Sequence, residues 1–226
     1  MKNSIELAIF DMAGTTVNEN NVVYKTVQKV LTEAGYHVPL EIVLELGAGK
    51  EKRNAIHDIL QIIHDKTTSS LEIDYLFNTF KKELKQAYNA LEITSYNGVE
   101  DLFEYLRSRG IKVVLNTGYD ESTARKLIKK LGWEIGKNID DLITADDVAT
   151  GRPSAEMIHL AMKRFSIDDP SKVLKAGDSI VDIEEGKNAC CGITIGVLTG
   201  AQTRKQLQTA QPTLILENLA ELKNIL

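Results

Sequence analysis

The 226 residues contain only two cysteines, and these are neighbours, Cys190 and Cys191. Adjacent cysteines do not bridge each other without strain, which excludes a disulfide framework. They read as reduced thiols at a helix-to-strand junction, as suits a reducing compartment. Basic charge is not in surplus either: 27 Lys and Arg stand against 32 Asp and Glu, a formal net charge of −5, and aromatics make up 6%. Such a chain has little with which to neutralise a phosphate backbone and few rings for bases to stack on. Nucleic acid is therefore not an expected partner. No apolar run approaches the roughly 18 residues of a membrane span. The start, MKNSIELAIFDM, lacks the long apolar region and cleavage site of a secretory signal. A cytoplasmic location without a membrane partner is the expectation. Gly47-Ala48-Gly49-Lys50 is not a phosphate-binding P-loop, because Leu44 and Glu51 stand where Gly and Ser or Thr are required. The four histidines (37, 57, 64 and 159) show no metal-ligand spacing.

What remains is an ordinary globular balance, 43% apolar and 26% charged, long enough for one large domain or two small ones. Glu6 to Phe10 is a short apolar run ending in Asp11, a buried strand by pattern. From Val22 to Ile93 no strand is evident. Val23, Val27, Val30 and Leu31 mark one helical face, and Ile56, Ile59, Leu60 and Ile63 another. Leu76, Phe80, Leu84 and Tyr88 mark a third. Pro39 and Gly47 to Gly49 punctuate these helices. After Gly98 the texture alternates, with strands at 112–116, 142–144, 172–177, 193–198 and 213–216 among helices at 99–109, 122–131, 155–165 and 183–190. A terminal helix follows from Asn218. Alternation of this kind predicts an α/β fold with a doubly wound parallel sheet. The core takes residues 1–16 and 97–226, and 17–96 form an inserted all-helical cap. Ligands bind beyond the carboxyl ends of such strands, so the cap is rooted at the rim of the site, as a lid would be.

Three strand ends deliver polar groups into small-residue turns: Asp11, then Asn116-Thr117-Gly118, then Asp178-Ser179 with Asp182 four residues beyond Asp178. Taken singly, Asp178 reads equally as a helix N-cap. Taken together, these ends gather carboxylates that repel one another unless a cation lies between them. Few hard oxygen ligands suit Mg²⁺, and magnesium-assisted phosphoryl transfer is the matching chemistry.

The strings AIFDMAGTTV, LNTGY, GRPSAEM and KAGDSIVDIEEGKNA resemble, in order, the four motifs of the haloacid dehalogenase superfamily, whose core is Rossmann-like. DMAGTT, TGY and GRP are most similar to its phosphonatase branch. The resemblance covers nearly the whole chain. It implies Asp11 as the nucleophile that forms an aspartyl-phosphate. It implies Asp11, the Ala13 carbonyl and Asp178 as holders of Mg²⁺, with Asp182 orienting that site. It implies Thr117, Gly118 and Arg152 as contacts of the phosphoryl group; without the other motifs, Arg152 could equally be a solvated turn residue. Phosphatases of the superfamily carry an acid two residues after the nucleophile. Here that residue is Ala13, which transfers no proton. Phosphonatases instead use a cap lysine that forms an imine with an aldehyde, and Lys50, three residues after Gly47, stands at that place. The family's histidine three residues further on is replaced by Arg53, and a preceding methionine by Leu46. Lys50 is thus an imine former, a clamp for phosphate or carboxylate beside Arg53, or a solvated lysine. The implied reaction is hydrolysis of a P–C bond in a small phosphono-aldehyde. A phosphatase for a small phosphate monoester and a non-catalytic phosphate-ligand binder are the alternatives. A homodimer is compatible with the resemblance.

Overall fold

Leu-Ala-Ile-Phe has no polar face, and a strand with no polar face must be covered on both sides. In the computed structural model, which describes residues 5–64 and 68–226, this run is β1 (Leu7–Phe10), and all four residues are buried. The first four residues of the expected core segment lie outside the described residues, as does the side chain of His64. β1 pairs in parallel with β4 (Lys112–Asn116) on one side and β6 (Val173–Gly177) on the other, Phe10 standing abreast of Leu115 and Ala176. With β5 (Asp141–Ile143), β7 (Ile193–Val197) and β8 (Leu214–Leu216) they form one parallel sheet of order β5-β4-β1-β6-β7-β8. The α/β fold is as the alternating pattern predicts. Helices α5 (Val99–Ser108), α6 (Glu121–Lys130), α7 (Glu156–Arg164) and α8 (Ile180–Asn188) connect the strands.

Between β1 and β4 the chain enters and leaves a helical segment through a two-residue ribbon. β2 (Val17–Asn18) lies antiparallel to β3 (Thr94–Ser95). Four helices lie between them: α1 (Val22–Glu33), α2 (Leu40–Gly47), α3 (Lys52–His64) and α4 (Ser70–Ala90). The sequence pattern foresees three of these. It treats α2 only as punctuation, because Pro39 and Gly47 flank a run of eight residues with a single fully buried apolar side chain, Val43. The 21-residue α4 buries Ile73, Leu76, Phe80, Leu84 and Tyr88, spaced three or four apart as one helical face demands. Its start is capped by Ser69, whose hydroxyl accepts from the Glu72 amide at 3.2 Å. Three further elements fall outside the sequence reading: β2, β3 and the short α9 (Arg204–Thr209). The expected terminal helix is a single 3₁₀ stretch, Leu219–Asn224. Among the described residues, no helix is long and apolar enough to cross a membrane.

Candidate active site

The register sets the site. Because Phe10, Leu115 and Ala176 are level, the next residues emerge together at the carboxyl edge of the three central strands. Asp11 is anchored there by its amide, which donates to the Ala176 carbonyl at 3.0 Å. Thr117 is anchored by its amide on the Ile143 carbonyl at 3.0 Å. Asp178 leaves β6 at the same edge, and Asp182 returns from the first turn of α8. A carboxylate oxygen of each of Asp11, Asp178 and Asp182 lies within 4.8 Å of the others, and all three residues are buried. The neighbouring turn can approach only because it carries glycine. At Gly14, with φ +83°, a Cβ would lie 2.5 Å from Asp178 Oδ2.

Three carboxylates in one pocket repel. Burial and the charge of Asp182 push Asp11 up to about 6, against the pull of Arg152. Burial with the charges of Asp11 and Asp182 drives Asp178 well above the ordinary range. Burial would raise Asp182 too, but Arg152 and Lys175 outweigh it and hold its carboxyl low. Arg152, its side chain 6% exposed, donates to Asp11 Oδ1 at 2.8 Å and also to Asp182. Its Nε is buried without a hydrogen-bond partner among the described residues. The residues therefore fit a cation: a dense set of hard carboxylate oxygens whose mutual repulsion a positive charge on the Asp178 side would relieve.

Beneath this layer lies a residue that the sequence reading treats only as part of an apolar strand. Lys175 in β6 is wholly buried and reaches Asp182 and Glu185 at 3.0 Å each. Its amine also donates to Asn116 Oδ1, and the Asn116 amide donates to Glu185 at 2.8 Å. A polar position inside an apolar strand was the available signal.

The segment between α2 and α3 closes over the site. Gly49, with φ +71°, packs so tightly on α8 that a Cβ would sit 2.5 Å from Ser179 Oγ. A pocket of about 40 Å³ is enclosed between this segment and the strand ends. Asp11, Ala13, Thr117, Gly118, Arg152, Asp178 and Asp182 all line it, as do Lys50, Lys52, Tyr24 and Tyr119. The Lys50 amine, however, is held by Asp58 at 2.6 Å, and its side chain is 39% exposed. Arg53 is not in the pocket wall. Asp74 at 2.7 Å and Ser70 at 3.1 Å hold its guanidinium on α4, away from the expected place beside Lys50. The inward amine is that of Lys52. It lies 5.1 Å above the Tyr24 ring, donates to the Lys50 carbonyl at 2.5 Å and has no carboxylate partner among the described residues. Burial and the charge of Arg152 lower it to about 8. Glu19, just past β2, is also buried. It accepts hydrogen bonds from Tyr88 of α4 and, at 3.2 Å, from Tyr119 beside the Thr117 turn; burial pushes it up to about 7.

The family model for haloacid dehalogenase-like hydrolases matches residues 5–189. The chain belongs to that family. It is a hydrolase, and the matched range takes in all four of the strings from AIFDMAGTTV to KAGDSIVDIEEGKNA. A phosphonoacetaldehyde hydrolase of Latilactobacillus sakei subsp. sakei is 26% identical, over 98% of this chain and 95% of that protein. A phosphonoacetaldehyde hydrolase-like protein from Oleispira antarctica has the same fold, with TM-score 0.83 and 22% identity over 98% of this chain and 91% of that one. A predicted phosphoglycolate phosphatase from Haemophilus somnus also shares it, with TM-score 0.81 and 17% identity over 100% and 99%.

Proposed function

We propose that this haloacid dehalogenase-like hydrolase cleaves the P–C bond of a small phosphono-aldehyde through an aspartyl-phosphate on Asp11, with a lysine of the 50–52 segment forming an imine. The observation that carries the reading is the pairing of two features. Ala13 supplies no acid for an alkoxide, and an amine lowered to about 8, that of Lys52, lines the same pocket as Asp11. The relatives named phosphonoacetaldehyde hydrolase support the same chemistry.

Asp11, the Ala13 carbonyl and Asp178 would hold Mg²⁺, whose charge when bound offsets the carboxylates and the incoming phosphoryl oxygens. Asp182 fixes Arg152, and the orphaned Nε of Arg152, with Thr117 and the Gly118 amide, binds those oxygens. An amine near 8 is about one-tenth neutral at pH 7 and about half neutral at pH 8; the neutral fraction attacks the aldehyde carbon, and loss of water from the adduct gives the protonated imine. The protonated imine then draws the electron pair of the breaking C–P bond as the Asp11 carboxylate attacks phosphorus. The products of that step are an enamine and an acyl phosphate. Protonation and hydrolysis of the enamine free the aldehyde, and water releases phosphate from Asp11. Lys52 fits the amine role in this geometry better than Lys50, which Asp58 neutralises. Helices α1–α4, as the cap, would exclude water during the first step.

Borohydride added with phosphonoacetaldehyde should fix a two-carbon adduct on Lys52, read by peptide mass mapping. An adduct on Lys50 instead would return the role to that residue. Asp11→Asn should lower phosphate release by roughly 10⁴-fold or more. A second reading, a phosphatase for a small monoester, is favoured by the diversion of Lys50 and Arg53 into ion pairs. Monoester turnover that survives both Lys50→Arg and Lys52→Arg, with no trapped adduct, would establish it.

A further inference from the structure

The 40 Å³ pocket around Asp11 adjoins a far larger cleft of about 470 Å³ between α4 and the start of α6; Lys52, Gly118 and Tyr119 line both. That volume lies in the range of pockets that bind whole metabolites, and it is much more than a two-carbon aldehyde needs. Its floor is the apolar face of α4, formed by Phe77, Phe80, Leu84 and Tyr88. Its rim is cationic, with Lys81 and Lys85 on α4 and Lys126 on α6.

The charges at this rim are uneven in their commitments. Three carboxylates also line the cleft, but each is tied to a helix start. Glu51 accepts from the Arg53 and Asn54 amides at 2.9 Å. Asp120 accepts from Thr123 at 2.8 Å, and Asp146 from the Glu121 amide at 2.8 Å. The lysines have no such anchors. Lys81 rests 4.7 Å over the Phe77 ring, and Lys126 donates to the Asn89 side chain. None of Lys81, Lys85 and Lys126 forms an ion pair with a carboxylate among the described residues, although three carboxylates line the same cleft. Lys81 and Lys85 are moreover one turn apart on one helix, where like charges repel. An anion between them turns that repulsion into attraction.

We propose that this cleft is the leaving-group subsite and that it takes a short apolar stem ending in a second anionic group, a carboxylate or phosphate, gripped by Lys81 and Lys85. The proposal rests on the assignment of Asp11 as the phosphorus-attacking group and extends it to substrate class. The preferred substrate then has phosphorus at one end and a second acidic function at the other. The Phe80 and Leu84 side chains cover the carbons between, and a neutral tail of the same length forgoes the lysine contacts.

The test is a binding series that needs no turnover. With the full-length protein in excess Mg²⁺, calorimetry compares phosphonoacetate, 4-phosphonobutanoate and 6-phosphonohexanoate with the alkylphosphonates of matching length. For at least one length, the carboxylate-tailed member should bind roughly tenfold or more tightly than its neutral partner, the size expected for a hydrogen bond to a charged group. That preference should collapse in a Lys81→Ala/Lys85→Ala variant. It should persist in Lys205→Ala, which removes an exposed lysine on α9. Equal affinities throughout the series, or a preference untouched by the double substitution, would overturn the subsite. Tail preference without any Asp11-dependent phosphate release would instead fault the assigned reaction and leave the subsite standing. Asp11-dependent release without tail preference would do the reverse.

Discussion

Lys175 shows what one residue with no role assigned from the sequence contributes. An ammonium in the central sheet would be prohibitive alone, yet Glu185 and Asp182 lift its pKa above the usual value against the effect of burial. It thus supplies, from beneath, charge that lets Asp182 stay ionised and hold Arg152. Lys175→Met should cost about 3–5 kcal/mol in urea unfolding, because it leaves Glu185 and Asp182 short of a partner. A Lys175→Met/Glu185→Gln double variant should recover part of that loss. A single variant as stable as the parent would refute this account. That Asp11, Thr117 and Asp178 would meet was legible beforehand, since the ends of neighbouring strands in a parallel sheet lie together, whereas Arg152 was expected there only from the resemblance. Lys175 was not, because nothing local distinguishes a buried lysine from a polar interruption. The choice between Lys50 and Lys52 was equally hidden: it turns on Asp58, two turns along α3, capturing one amine and leaving the other inward.

At the scale of elements, the two-residue ribbon and Glu19 join the helical segment to the sheet. Glu19 lies just after β2, Tyr88 near the end of α4, and Tyr119 in the turn after β4. The two phenols meet over the carboxyl, 2.9 Å from each other. Folded, Glu19 keeps its proton up to about 7; unfolded, it releases it near 4.5. Between those values the folded state binds more protons, so this group's contribution to stability falls as pH rises. The span is worth roughly 3 kcal/mol at most. Glu19→Gln should therefore have a flatter dependence of unfolding free energy on pH than the parent between pH 4.5 and 7, measured by urea titrations at several pH values. Parallel curves would dismiss Glu19 as the titrating group. This junction left little trace in the sequence, because two-residue strands have no periodicity to read. Helix α4 was legible for the opposite reason: its apolar stripe, from Ile73 to Tyr88, runs through about four turns.

Across the whole molecule, the acidic cluster stores repulsion that a divalent ion would relieve. Mg²⁺ at about a hundred times its dissociation constant should add ~2.7 kcal/mol of stability. For a chain of this length that is a rise in melting temperature of roughly 5–10 °C, reversible by EDTA. Asp178→Asn should abolish the rise. A melting curve unmoved by Mg²⁺ in the parent protein would count against the proposed ion. Local pattern alone was enough to set the parallel sheet, the place where the helices enter and the strand ends at which chemistry gathers, because burial on both faces imposes continuous apolar strands. Which amine points inward, where Arg53 is tied, the lysine under the carboxylates and the cleft along α4 depend on particular side-chain pairings that no periodicity spells out, from eight positions apart for Lys50 and Asp58 to 59 for Lys175 and Asn116. Those are decided only when the helices pack onto the sheet and each charge finds, or fails to find, a partner.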